Sequence, residues 1–210
     1  MMQYLVIEGN IGAGKTTLAT MLANELNAKL TLEQFSDNPF LPKFYQNPER
    51  YSFPLELSFL AERYRQLNVD LRSTSLFHNI TIADYFFMKS LIFAQNTLTG
   101  DELQLYKQLF NIIYSSLPKP DLYVYLHLPT EKLLKNIEKR GREYEKTITA
   151  DYLNSISLGY FDFFKQHPNY SFLVIDTSNI DFVENISDYQ KIKSVIFDQQ
   201  YPKGVNRVTF

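Results

Sequence analysis

The sequence contains no cysteine, which excludes disulfide bonds, thiolate metal sites and a cysteine nucleophile. Net charge is also nearly absent, because 21 lysines and arginines are balanced by 23 aspartates and glutamates to give −2. The chain as a whole therefore has no electrostatic attraction to nucleic acid, although its net charge does not exclude a local basic patch. We expect no nucleic-acid partner.

Long apolar runs are missing as well. Glu8 and the glycines after it interrupt the apolar N-terminal stretch, and no other run is long enough to cross a bilayer. We therefore expect no signal peptide, no membrane partner and a cytoplasmic location. The sequence does have material for a core, since 45% of its 210 residues are hydrophobic and 21% are charged. This composition and length are typical of one globular domain, residues 1–210.

Short β-rich runs alternate with helical patterns along the chain. Strands are expected at 3–7, 28–32, 79–83, 122–128 and 172–175, and helices at 15–27, 54–71, around 90–93, and at 101–116, 130–139, 149–166 and 183–197. Thr130 is expected to cap its helix. The alternation predicts an α/β fold with a central parallel sheet of about five strands, flanked by helices. Ligands bind at the carboxyl ends of such strands, which here carry Glu8, Glu33, Asp84 and Leu128.

The strongest motif is Gly9-Asn10-Ile11-Gly12-Ala13-Gly14-Lys15-Thr16, which matches G-x-x-x-x-G-K-[ST] in full between a predicted strand and a predicted helix. Backbone N–H groups of such a loop cradle phosphate oxygens, and the helix N-terminus adds its dipole. Lys15 is expected to reach the β- and γ-phosphates, and the Thr16 hydroxyl to ligate Mg²⁺. The motif predicts a bound nucleoside triphosphate. The guanine-specifying motif Asn-Lys-x-Asp is absent, which disfavours a GTPase.

Two further features favour phosphoryl transfer. Asp84 follows an apolar run, as a metal-orienting acid does, although an ordinary helix N-cap is the alternative. Gly141 separates Arg140 and Arg142 in a basic cluster. Arginines on a hinged segment neutralise charge on the transferred group and exclude water. We therefore expect a kinase lid at about 139–147, against the alternative of a solvated, charged helix end.

These segments together resemble the deoxynucleoside kinase family over nearly the whole chain. The resemblance rests on the loop Gly9–Thr17, Leu32-Glu33, the segments 38–45 and 53–63, Arg140-Gly141-Arg142 with Glu145, and 176–182. It implies a P-loop kinase fold with a short lid, ATP as the phosphate donor with Mg²⁺, a homodimer, and transfer to the 5′-hydroxyl of a deoxyribonucleoside.

The resemblance also implies roles for individual residues. Glu33 would be the general base, with Lys15, Arg140 and Arg142 as the other catalytic groups. ATP would be bound by Gly9, Asn10, Ile11, Gly12, Ala13, Gly14, Lys15, Thr16, Thr17, Asp181 and Phe182. The substrate would be bound by Glu33, Tyr45, Leu55, Glu56, Arg63, Asp84 and Glu145, and the metal by Thr16 and Asp84. Tyr45 and Glu145 would hold the 3′-hydroxyl. The alternatives are a solvent-facing Glu33, a core Tyr45 and an exposed polar stripe at Glu56 and Arg63.

The sequence departs from the family at three informative positions. Glu56 stands where the family commonly has glutamine. A carboxylate offers acceptors alone, and guanine presents adjacent N1–H and N2–H₂ donors, so we expect a purine preference with guanine as the candidate. A buried Arg63 that reoriented Glu56 would defeat this argument. Tyr85 and Asn136 stand where the family commonly has arginines, and Lys89, one helical turn after Tyr85, is a candidate replacement.

Two other functions remain in competition. A nucleoside monophosphate kinase of the thymidylate kinase type would share the loop, sheet and lid, but it needs an arginine for the acceptor phosphate, and Tyr85 disfavours it. A non-catalytic ATP-binding regulatory module would explain the missing arginines, but the loop and both candidate carboxylates, Glu33 and Asp84, are intact.

Overall fold

The computed structural model describes residues 2–34, 38–72 and 78–210. The strands are β1 Tyr4–Gly9, β2 Lys29–Thr31, β3 Thr81–Ala83, β4 Leu122–His127, β5 Ser171–Asp176 and β6 Gly204–Thr209. The helices are α1 Lys15–Leu26, α2 Leu41–Gln46, α3 Pro48–Arg72, α4 Met88–Thr97, α5 Gly100–Ser116, α6 Thr130–Arg140, α7 Ala150–Gln166 and α8 Ile186–Phe197, with a 3-10 helix at Glu143–Glu145. In these ranges no helix is both long enough and apolar enough to cross a membrane.

All strands run parallel in one sheet of order β2-β3-β1-β4-β5-β6. Its two faces explain why the central strands are apolar throughout. Val6 and Tyr125 face one core, with α3, α4, α5 and α7. Leu5 and Val124 face the other core, with α1, α6 and α8. Because side chains alternate between faces, a strand covered on both sides is hydrophobic at every position. The predicted α/β fold with a parallel sheet is confirmed.

The sixth strand, β6, was not predicted. Alternate residues of β6 are half-buried and exposed, and it pairs with β5 from Ser171 to Asp176 at the sheet edge. Gly204, Asn206 and Arg207 interrupt β6, so it lacks the continuous apolar run that marks the central strands. Its partner lies some thirty residues earlier, so tertiary pairing decides its conformation.

Helix boundaries differ from the prediction where local signals compete. Helix α3 begins at Pro48, six residues before the predicted start at Pro54, and continues through Pro54. Proline fits the first turn of a helix, so Pro48 is the better start signal. The predicted cap at Thr130 is wrong, because Pro129 occupies the cap and Thr130 is the first helical residue. The Thr130 hydroxyl donates instead to Asn154 Oδ1 at 2.5 Å.

Candidate active site

The loop between β1 and α1 has the shape that its glycines permit. Gly12 and Gly14 adopt φ of +83° and +87°, and a Cβ would lie 2.8 Å from the Leu133 carbonyl oxygen and 2.9 Å from Phe182 Cζ, respectively. Both positions therefore require glycine. Asn10 fixes the loop to α7, because its side-chain amide donates to the Leu153 carbonyl at 2.7 Å.

Phosphate-binding groups converge at this loop. Lys15 Nζ donates to the Asn10 carbonyl at 2.8 Å, and burial lowers the pKa of Lys15 to about 8, with Lys89 adding to the shift. Phe182 is buried against Gly14, behind the loop. The Asp181 carboxylate accepts from the Val183 and Glu184 amides at 3.0 and 3.1 Å, so it shapes its own turn.

Thr16 and Asp84 meet at the carboxyl edge of the sheet. Thr16 Oγ1 donates to Asp84 Oδ2 at 2.5 Å, and Asp84 Oδ1 accepts from the Glu33 backbone amide at 2.8 Å. The N-cap alternative for Asp84 does not apply, since α4 begins only at Met88. Hydroxyl and carboxylate oxygens next to a phosphate loop are the donors that Mg²⁺ prefers, so this pair fits that ion.

Glu33 lies between two cations. Its side chain is 8% exposed, and it accepts from Arg63 Nη2 at 2.7 Å and from Lys89 Nζ. Burial disfavours the charged carboxylate, but Lys89 and Arg63 outweigh burial and lower the pKa of Glu33 to about 2. The alternative of a solvent-facing acid is therefore wrong. Arg63 also donates to Ser90 Oγ at 2.9 Å, so its guanidinium is directed toward Glu33 and α4.

Lys89 supplies a cation where Tyr85 has none. Tyr85 is fully buried, and its hydroxyl donates to Gln66 Oε1 at 2.8 Å, while Gln66 Nε2 donates to the Leu32 carbonyl at 2.6 Å. Tyr85 thus supports the backbone just before Glu33. Lys89, the second residue of α4 and four residues after Tyr85, makes the ion pair with Glu33. The proposed replacement of the missing arginine by Lys89 agrees with this geometry.

Glu8 is a site residue that the sequence analysis named only as a strand end. It is 1% exposed, and its carboxylate accepts from the Phe86 amide and the Tyr160 hydroxyl, both at 2.8 Å. Burial raises the pKa of Glu8, against the opposing charges of Lys89 and Lys15. Glu8 holds the backbone of the turn that leads into α4 and so positions the start of the helix, which carries Lys89. A polar residue inside an otherwise apolar strand is the sequence signal that identifies Glu8 as a candidate site residue.

Glu56 lies at the other end of the site. It is 3% exposed, and Arg63 is 4% exposed, so the exposed-stripe alternative is wrong. Thr97 Oγ1 donates to Glu56 Oε1 at 2.8 Å, whereas Oε2 is buried without a hydrogen-bond partner among the described residues. Burial raises the pKa of Glu56 to about 7.

The lid segment is folded over the site by its own ion pairs. Arg140 binds the Glu145 carboxylate through Nε at 3.0 Å and Nη2 at 2.5 Å, and Arg142 Nη1 lies 3.4 Å from the same carboxylate. Tyr144 stacks on Tyr45 with ring centroids 6.1 Å apart. The stacking places Tyr45 in the site rather than in the core.

The lid helix is also attached to the phosphate loop. Asn136 Nδ2 donates to the Gly12 carbonyl at 2.8 Å. Asn136 therefore links α6 to the loop where the family commonly has a lid arginine.

One cavity of about 360 Å³ joins these groups. The predicted site residues that line it are Ile11, Lys15, Thr16, Glu33, Tyr45, Leu55, Glu56, Arg63, Asp84, Arg140, Arg142 and Glu145. The other predicted ATP-binding residues are not among its lining residues: Gly9, Asn10, Gly12, Ala13, Gly14, Thr17, Asp181 and Phe182. Of the aromatic walls, the sequence analysis included Phe44 and Phe59 only within the segments 38–45 and 53–63, and it missed Phe93, Tyr144 and Tyr152. An aromatic residue on a helix is indistinguishable by pattern from a core residue.

Comparisons with known proteins agree with this geometry. The family model described as deoxynucleoside kinase matches residues 5–199. A deoxyguanosine kinase of Bacillus subtilis (strain 168) is 40% identical, over 90% of this chain and 93% of the relative. A deoxyadenosine/deoxycytidine kinase of the same organism is 30% identical, over 93% and 94%. A solved deoxyadenosine kinase from M. mycoides, with dCMP and a flexible dCDP bound, is 23% identical and covers 94% of this chain and all of its own, with a TM-score of 0.80.

Proposed function

The chain belongs to the deoxynucleoside kinase family, and from that premise we infer that it transfers the γ-phosphoryl group of ATP to the 5′-hydroxyl of a purine deoxyribonucleoside, deoxyguanosine in particular. The observation that carries this is one cavity with a phosphate end and a base end. Lys15 and Thr16 line the first, Glu56 lines the second, and Glu33 lies in the same wall.

The transfer uses groups that are already in place. The 5′-oxygen forms a bond to the γ-phosphorus as the bond to the bridging oxygen of the leaving ADP breaks. Glu33 accepts the hydroxyl proton. A carboxylate with a pKa of about 2 is a weak base, so its main contribution is to orient the 5′-hydroxyl, which agrees with the loose transition state of phosphoryl transfer.

Positive charge is supplied from two sides. Lys15 acts from the phosphate loop, and Arg140 and Arg142 act from the lid, where they stabilise charge on the equatorial oxygens in a water-poor site. We propose that Thr16 and Asp84 hold Mg²⁺, which when bound neutralises phosphate charge. Arg140 is paired with Glu145, so a 3′-hydroxyl bound by Glu145 and Tyr45 would free Arg140 to turn toward phosphate.

Glu56 supports the guanine preference. Arg63 does not bind it, because the guanidinium is committed to Glu33 and Ser90. The carboxylate of Glu56 therefore keeps an acceptor, Oε2, for a ligand. Ionised Glu56 accepts from the N1–H and N2–H₂ of guanine, whereas it meets a repulsive lone pair on adenine N1 or cytosine N3. The 40% identity to a deoxyguanosine kinase points the same way.

A phosphorylation assay coupled to ADP formation tests this function. It compares the four deoxynucleosides, their ribose counterparts and dGMP as acceptors, with ATP and Mg²⁺. We expect the highest kcat/KM for deoxyguanosine. A higher value for dGMP would establish the monophosphate kinase instead. Absence of turnover with every acceptor would establish the regulatory module. A maximum at deoxycytidine or thymidine would overturn the purine preference.

We propose that the protein is a homodimer, as its membership of the family suggests. Ile112 on α5 and Leu158 on α7 are 70% and 65% exposed and are candidate contacts between the two chains. Light scattering during size-exclusion chromatography would give twice the mass of one chain. We also propose a cytoplasmic location.

A further inference from the structure

Glu56 has an unused acceptor in the base end of the cavity. Its Oε1 is bound by Thr97 at 2.8 Å, and its Oε2 is buried without a partner among the described residues. A buried polar atom without a hydrogen bond is costly unless a ligand supplies the partner. The carboxyl group is therefore placed to read a hydrogen-bonding edge of the bound base.

The groups around Glu56 do not by themselves fix whether its carboxyl group is ionised. Tyr45 on α2, Tyr106 on α5 and Tyr152 on α7 interact with it electrostatically. Burial raises the pKa of each of these phenols, that of Tyr45 to about 12, so they stay neutral. Arg63 on the same helix favours the carboxylate, but its guanidinium hydrogen bonds go to Glu33 and Ser90. From α4 Glu56 receives the Thr97 hydroxyl, which carries no charge.

The remaining charged groups of the cavity belong to its phosphate end. They are Lys15, Glu33, Asp84, Lys89, Arg140, Arg142 and Glu145. Glu33 is paired with Arg63 and Lys89, and Glu145 with Arg140 and Arg142. No ion pair is recorded for Glu56 within the described ranges, so burial is the dominant influence on its protonation.

We propose that Glu56 selects the nucleobase through its own protonation state, so that the enzyme has a second activity on deoxyadenosine when Glu56 carries a proton. The ionised carboxylate has two acceptors and matches the N1–H and N2–H₂ donors of guanine. The neutral acid has one donor and one acceptor. It donates its O–H to adenine N1 and accepts from the adenine amino group through its carbonyl oxygen. The proton comes from a hydronium ion of the solvent before the base binds, so one O–H bond of hydronium breaks as the O–H bond of the acid forms, and water is left.

The balance between the two forms lies near neutrality. Burial raises the pKa of Glu56 to about 7 from an ordinary 4.5, and bound guanine favours the carboxylate while bound adenine favours the acid. This selection rests on the proposed phosphorylation of deoxynucleosides, since it concerns the acceptor pocket of that reaction.

The test is the ratio of kcat/KM for deoxyguanosine to kcat/KM for deoxyadenosine, measured from pH 6 to pH 8.5. Any titration on the ATP side affects both substrates and cancels in the ratio. If one substrate needs the carboxylate and the other the acid, the ratio rises about tenfold per pH unit. A ratio that changes less than threefold over the whole range would overturn the proposal.

Glu56→Gln is the matched variant, because an amide has a donor and an acceptor at every pH. We expect it to phosphorylate deoxyadenosine at pH 8, and its substrate ratio to be independent of pH. A wild-type pH dependence that persists in Glu56→Gln would assign the titration to another group and contradict the proposal.

A stability measurement reports on Glu56 without any substrate. The folded-state pKa of this acid is raised, so its ionisation penalises folding above pH 4.5 and does so fully above pH 7. Ligand-free Glu56→Gln should melt at the wild-type temperature near pH 4.5 and several degrees higher at pH 8. If Glu56→Gln and the wild type melted at the same temperature at pH 4.5 and also at pH 8, Glu56 would not titrate in this range, which would contradict the proposal.

The assay distinguishes a failure of base selection by Glu56 from a failure of the proposed kinase function. If deoxyguanosine is phosphorylated and the substrate ratio is flat with pH, the protonation mechanism is wrong and the kinase function stands. If neither substrate is phosphorylated at any pH, the proposed function falls, and the base selection falls with it.

Discussion

At the scale of single residues, the site depends on how buried charges are paired. Glu33 is bound by Arg63 and Lys89, and Asp84 by the Thr16 hydroxyl. Removing one partner of a buried ion pair leaves an uncompensated charge, which usually costs about 3–5 kcal/mol. Substitutions here therefore change stability as well as catalysis, and each needs a control for folding.

We expect Glu33→Gln to lower kcat by about 10²–10⁴-fold with little change in ATP affinity, because the neutral amide loses the ion pairs that hold the side chain toward the 5′-hydroxyl and cannot accept its proton. Initial rates and ATP binding by calorimetry, both below the melting temperature of the variant, measure the two effects. Glu62→Gln is the control, because Glu62 lies on the surface of α3 in an ion pair with Arg65. Equal kcat in Glu33→Gln and Glu62→Gln would exclude Glu33 from the reaction.

Lys89→Met should lower kcat by at least about tenfold, because it removes a cation from Glu33 and from the water-poor phosphate end of the cavity. Loss of Lys89 also raises the pKa of Glu33, so the acid limb of the kcat–pH profile should move to higher pH than in the wild type. Lys89→Arg keeps the charge and should retain most of the activity. If Lys89→Arg were as impaired as Lys89→Met, a specific ammonium rather than a relocated positive charge would be required.

At the scale of elements, the loop from β1 to α1 is held by contacts on several sides. Phe182 packs against Gly14, Asn136 on α6 binds the Gly12 carbonyl, and Asn10 binds α7. The phosphate cradle is thus supported by segments more than a hundred residues away. Asn136 donates the hydrogen bond that joins the loop to helix α6.

Gly14→Ala should raise KM for ATP by at least about tenfold, because the new Cβ would lie 2.9 Å from Phe182 Cζ in a left-handed backbone conformation. Steady-state kinetics at varied ATP measure this. Gly100→Ala is the control, because Gly100 also has a positive φ, of +54°, but a Cβ there meets nothing within 4 Å. It should cost about 1 kcal/mol of stability and leave KM unchanged. A normal KM for Gly14→Ala would show that the loop tolerates displacement.

At the scale of the whole molecule, the parallel sheet gathers acidic residues at one edge. Glu8 lies near the end of β1, Glu33 follows β2 and Asp84 follows β3, and these three strands are adjacent in the sheet. The pKa values of Glu33 and Glu8 move in opposite directions, since Glu33 has two cationic neighbours and Glu8 is dominated by burial. The dependence of folding on pH therefore reports on how this edge is assembled.

Glu33 should stabilise the fold at neutral pH and lose that effect in acid. Its folded-state pKa of about 2 lies below the ordinary 4.5, so its contribution is complete above pH 4.5 and declines as pH falls toward 2. The shift corresponds to about 3 kcal/mol. Urea unfolding of the wild type and Glu33→Gln should differ by this order at pH 6, by less at pH 3, and should converge only as the pH falls to about 2. A difference independent of pH would mean that Glu33 is not ionised by its partners, and Glu62→Gln should match the wild type throughout.

The sequence by itself determined the features that depend on neighbours along the chain. The phosphate loop is one, because its glycines and Lys15 act within a single turn. The strand–helix alternation is another, because the apolar pattern of a buried strand is continuous. These two features established the fold class and the location of the site at the carboxyl edge of the sheet.

Only the tertiary structure decided how distant residues share charge. The pairing of Glu33 with Arg63 and Lys89 joins residues 30 and 56 positions apart, and the free oxygen of Glu56 depends on where the Arg63 side chain turns. Edge strand β6 likewise depends on its pairing with β5. Hydrogen bonds, ion pairs and pKa values follow from distances and burial in three dimensions. A local sequence pattern contains neither those distances nor that burial.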